Sequence, residues 1–158
     1  MSEGSQSLND FEVQVAVLAE RIERGQAGAL SIVNIFSGVS AEQFPAMHAE
    51  CVFLARIQYR ASHATGGSFR AKLRFVDEDG NSVFELRDDI LLIPPPTPAA
   101  SAVWETVIEL KDLPFEKEGE YFLELYVGPW RMCSVLCRAS LVPPSNPAVS
   151  GTGAHPEQ

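Results

Sequence analysis

Most of the chain between Phe11 and Val142 alternates apolar and polar residues. A period of two is the mark of strands with one face buried and one face wet. "FEVQVAV" sets Val13, Val15 and Val17 on one side. "CVFLARIQY" does the same with Cys51, Phe53, Ala55, Ile57 and Tyr59, and "FRAKLRF" with Phe69, Ala71, Leu73 and Phe75. "GALSIVNIF", "VWETVIEL", "YFLELYV" and "CSVLCRASLV" complete the set. Turn residues interrupt these runs at short intervals. The expectation is an all-β antiparallel two-sheet sandwich, immunoglobulin-like or a close variant, of about 7–8 strands. "FEVQVAVLAERIER" ends in helix-friendly residues, but its β-branched start predicts a strand. A short helical turn is expected in "SAEQFPAMHAE", with Ser40 as N-cap and Pro45 limiting its length. Gly119 two residues before Tyr121 predicts a tyrosine corner, the hydroxyl tied back to the preceding turn.

With 158 residues the chain has the size of one domain with a real core. The domain is expected over residues 11–142. Polar tails are expected at 1–10 and 143–158, the second rich in Pro, Ser and Gly. The net charge of −9 opposes binding to phosphate backbones. The polar first residues carry no export signal, and no apolar run could span a bilayer. Three cysteines, Cys51, Cys133 and Cys137, predict reduced thiols and a cytoplasmic protein. In an extended strand Cys133 and Cys137 stand too far apart for a disulfide.

"FVDEDGNSVFEL" invites a calcium reading. With Asp77 at position 1 of an EF-hand loop, Gly80 falls at 4, Ser82 at 6 and Asp88 at 12. The bending glycine and the closing glutamate are both misplaced, so that motif fails. Asp77 and Asp79 could still join a metal site with acids from other loops. Asp79-Gly80 fits a hairpin turn better, because both residues tolerate positive φ.

The surface offers one stronger pattern. If "CVFLARIQYR" and "SFRAKLRF" pair as a hairpin, Tyr59 faces Ala71, Ile57 faces Leu73 and Ala55 faces Phe75. That register sets Arg56 opposite Arg74 and Arg60 opposite Arg70, with Lys72 between. These five of twelve cations would share one outward face, either a solvated face balanced by acids such as Glu85, Glu105 or Glu109 on adjoining strands, or a docking surface for an acidic partner protein or an anionic ligand. Nucleic acid fits it poorly, since no exposed aromatics are expected among the cations.

Other motifs carry less. Pro95 and Pro98 have a Pro-x-x-Pro spacing, read as a stiff crossover between sheets. His48 and Cys51 are neighbours in sequence, but Cys51 points to the core. No catalytic, phosphate-loop or cofactor motif is present, so neither enzyme activity nor a cofactor is expected. A pair assembled from scattered carboxylates is the remaining enzymatic possibility.

Several segments together resemble a family of small bacterial proteins of unknown function. They are Gly28-Leu30-Ile32-Ile35-Phe36, Phe44-Pro45-His48, Asp77-Asp79-Gly80 and Pro114-Phe115-Gly119-Glu120-Tyr121. The resemblance implies a compact β-sandwich and transfers no catalytic residue. The reading is a non-catalytic binding module, with a calcium- or small-ligand-binding sandwich as the alternative.

Overall fold

The computed structural model describes residues 11–60, 68–91 and 101–143. The expected tails, the loop carrying His63, the Pro-x-x-Pro segment and His155 lie outside the described residues, Pro143 excepted. The strands are β1 (Phe11–Arg24), β2 (Leu30–Phe36), β3 (Gly38–Ala41), β4 (Ala46–Arg60) and β5 (Ser68–Asp77). They continue with β6 (Ser82–Leu91), β7 (Ser101–Phe115), β8 (Gly119–Val127) and β9 (Trp130–Leu141). One four-stranded sheet has the order β2-β1-β4-β7, and a five-stranded sheet has the order β3-β9-β8-β5-β6.

The sandwich reading holds, with nine described strands instead of seven or eight. β4 and β7 in one sheet, with β5, β8 and β9 in the other, reproduce the immunoglobulin-like division of strands. All pairs are antiparallel except β3 with β9. β1 is strand throughout, as its β-branched start predicts. No helical turn follows Ser40. β3 ends at Ala41, the chain bends through a cis Phe44-Pro45 bond, and β4 begins at Ala46.

The alternation fills one core. Phe53, Ala55 and Ile57 from β4 meet Leu73 and Phe75 from β5 and Leu123 and Leu125 from β8. Below the β5–β6 turn, Phe75 stacks on Tyr121 at 5.3 Å, and Phe115 meets both rings edge-on at 5.5 and 5.0 Å. The Tyr121 hydroxyl donates to the Lys117 carbonyl at 2.9 Å and accepts from the Lys117 N–H at 3.2 Å. This is the tyrosine corner, and it lets a large ring be buried without stranding its polar tip.

One expected pairing is absent. β4 and β5 do not form a hairpin; they belong to different sheets. β4 has β1 on one edge and β7 on the other, so neither edge is left for β5. The hairpin register satisfied both apolar faces, but any strand of the same alternation does that. Charge breaks the tie. In the hairpin Arg56 would face Arg74, whereas here it faces Glu105, and Arg74 lies between Glu85 and Glu124.

Candidate functional site

The proposed basic face of Arg56, Arg60, Arg70, Lys72 and Arg74 therefore does not form as one surface. Arg56 and Arg60 belong to β4 of the four-stranded sheet. There Arg56 Nη1 lies 3.2 Å from Glu105 Oε2, and its Nε donates to Gln14 Oε1 at 2.9 Å. Arg70, Lys72 and Arg74 lie on the outer side of β5, between β8 and the edge strand β6 of the five-stranded sheet.

The strands beside β5 supply other partners. β6 places Arg87 opposite Lys72 and Glu85 opposite Arg74. β8 places Tyr126 and Glu124 on the other flank, and β9 adds Arg131 and Arg138 beyond them. Six of the twelve cations, Arg70, Lys72, Arg74, Arg87, Arg131 and Arg138, thus share this outer face. Among the residues whose side chains are described, its carboxylates include Glu85, Glu120 and Glu124.

Charge is uneven within the face. Arg138 and Glu120 pair one to one at 2.6 Å. Glu85 alone carries three cations, with Arg87 at 2.9 Å, Arg74 at 3.3 Å and Lys72 at 3.9 Å. The hydrogen bond from Arg87, followed by the fields of Arg87, Lys72 and Arg74, holds the Glu85 carboxyl below its ordinary range despite partial desolvation. Arg74 Nε meets Glu85 too obliquely for a hydrogen bond, and that buried N–H has no acceptor. Lys72 Nζ also sits 4.8 Å above the Tyr126 ring, whose hydroxyl donates to Glu124 at 2.7 Å. So the face does contain aromatics among its cations, contrary to expectation, because β8 brings Tyr126 and Phe122 beside β5.

Arg87, Arg131, Arg138 and Tyr126 were missed by sequence reasoning about this surface, whereas Glu85 is among the acidic neighbours it expects on adjoining strands. The alternation of "VFELR" and "YFLELYV" marks their side of each strand. Which strands lie next to one another is not written in that alternation.

The Asp-rich turn is a hairpin, built differently from a two-residue turn. Asp77 pairs with Asn81 across three residues, Gly80 N donates back to Asp77 O at 3.0 Å, and Gly80 has φ +81°. The Asp77 carboxylate accepts from Asp79 N, Asn81 N and Asn81 Nδ2 at 2.9–3.1 Å. The Asn81 backbone bond leads the effects that lower its pKa. Glu78 and Asp79 each lie 3.8 Å from Lys117 Nζ, at the tyrosine corner. The acids of this loop are thus engaged by protein donors and a protein cation.

The three cysteines are free. Burial pushes the thiols of Cys51 and Cys133 up to about 11 and that of Cys137 up to about 12, which suppresses the thiolate needed for nucleophilic work. His48 is engaged with the Phe36 ring at 5.4 Å. Scattered carboxylates do gather in one place. Glu20, Glu50 and Asp112 border an open cleft of about 670 Å³ with Arg21, His48 and Lys111. There Glu20 accepts a hydrogen bond from Asn34 Nδ2 at 2.6 Å. No helix among the described residues is long and apolar enough to cross a membrane.

No curated protein matches the chain. A family model does, over residues 14–132, from β1 into the start of β9 and well beyond half of the 158 residues. The chain belongs to that family, a family of unknown function (DUF6941).

Proposed function

We propose that this protein is a non-catalytic binding module that docks an acidic partner protein on the outer face of its five-stranded sheet. The supporting observation is the single carboxylate of Glu85 shared by Arg74, Arg87 and Lys72. Glu85 and Glu124 against Lys72, Arg74, Arg87 and Arg131 leave an excess of positive charge there on a protein whose net charge is −9. A carboxylate from a partner would complete the arrangement. Arg87 and Arg131, with side chains 58 % exposed, are within its reach. Three unpaired thiols fit a bacterial cytoplasmic setting for such a module.

An oligoglutamate peptide provides the probe, followed by amide chemical shifts at low and high salt. Shifts should cluster on Lys72, Arg74, Arg87 and Tyr126 and fade with salt. Arg74→Glu with Arg87→Glu should remove them, while Arg56→Glu on the other sheet should not. Equal loss from Arg56→Glu, or shifts that map elsewhere, would reject the reading.

A further inference from the structure

The two sheets differ by one strand, and the difference exposes part of the inner surface. β6 pairs with β5 so that Leu86 faces Leu73 and Phe84 faces Phe75. Both partners are core residues, so Leu86 and Phe84 point to the interior side of their sheet. Leu86 is nevertheless 44 % exposed. The four-stranded sheet ends at β7, and no described strand pairs with the far edge of β7. Two adjoining clefts of about 230 and 270 Å³ run between β6 and β7. Leu73, Leu86, Trp104 and Ile108 line the first; Phe84 and Leu110 border the second. From Trp104 to Pro114 the groove measures roughly 30 Å at strand rise.

An immunoglobulin-like sheet of this kind commonly holds a further strand at this edge. The connecting sequence here, residues 92–100, contains Pro94, Pro95, Pro96 and Pro98. Four residues without an N–H donor make a poor ladder strand.

We infer that the β7 edge is a strand-addition site for an extended, mostly apolar segment of a partner protein that carries a basic residue opposite Glu109 and an acidic one opposite Lys111. The edge supplies the main-chain hydrogen bonds, as in other β-augmentation complexes. Side-chain preference follows from the two faces of β7. Toward the groove it presents Trp104, Thr106, Ile108 and Leu110, which call for apolar partners. On the outer side it presents Glu105, already paired with Arg56, and then Val107, Glu109 and Lys111, which call for an apolar, a basic and an acidic residue in turn. Asp112, with φ +52°, bounds the regular stretch at its C-terminal end. A strand added at β7 would cover the exposed side of Leu86 across the groove.

The probe is the peptide Glu-Val-Lys-Val-Val-Ile-Thr, which runs antiparallel to β7 from Lys111 to Glu105. Binding should slow hydrogen exchange at every second amide between Glu105 and Lys111. Glu109→Lys, at an exposed position, should weaken binding about fivefold. Replacing the peptide lysine by glutamate should weaken binding to the parent and restore it to Glu109→Lys. A peptide with prolines at alternate positions should not bind. No binding, unchanged affinity in Glu109→Lys, or protection outside β7 would overturn the proposal. So would alternate β7 amides already protected in the free protein, because the edge would then be filled by the chain's own residues or by a second copy. Failure of oligoglutamate binding leaves this result untouched, since the two probes address different sheets.

Discussion

On the outer face of the four-stranded sheet, Val17, Leu54 and Val107 lie side by side. On the outer face of the five-stranded sheet the corresponding central row is Ser134, Glu124, Arg74 and Glu85. The first row is closed: Leu54 is 3 % exposed and Val52 beside it is 9 %, although both point away from the core. Val17 and Val107 flank Leu54, Ala19 and Glu109 flank Val52, and the Arg56–Glu105 pair borders the patch. The second row stays wet and charged, and its ion pairs are shared unevenly. The difference separates two uses of an outward face. One adds hydrophobic stabilisation beyond the core, while the other contributes little to stability and leaves charge available for binding.

The sharpest way to break this contrast is Leu54→Ala. It should lower stability by about 2–3 kcal/mol in urea unfolding, a cost expected of a buried leucine. A cost no larger than that of an outer-face arginine would refute the packing role. Tyr121→Phe tests the corner that anchors β8 beneath the charged face. It removes two hydrogen bonds to Lys117 and should cost about 1 kcal/mol, with the fold retained.

Acid titration separates the faces next. The folded pKa of Glu85 is depressed, so its stabilisation is present above the unfolded carboxylate value, about 4.3. It is lost as pH falls through the folded value. Glu85→Gln should therefore flatten the acid limb of thermal stability and make that limb less salt-sensitive. An unchanged limb would remove Glu85 from the account. The smallest effect is expected from Arg87→Ala, within about 0.5 kcal/mol at neutral pH. Its consequence should appear in oligoglutamate binding instead.

Particular residues mark how far the sequence could be read. Tyr121 after Gly119 gave away the corner, because a large ring with a polar tip at a strand start has few ways to be satisfied. Asp77 to Gly80 was legible as a turn, though the three-residue form depends on the Asp77–Asn81 pairing. The Arg56–Arg74 pairing was misread because strand alternation fixes a face and leaves the neighbour open. Arg131 and Arg138 were invisible as parts of the surface, since β9 reaches it only through its contact with β8.

Alternation and turn residues by themselves determined that this chain forms strands with one buried side, and which side that is. Local backbone geometry and solvent preference act within a few residues, so a short window suffices. Tertiary structure decided the sheet each described strand joins and the carboxylates that Arg56, Arg74, Arg87 and Arg138 meet. Those outcomes depend on contacts between residues far apart in the chain, where several partners satisfy the same apolar face and charge and packing select among them.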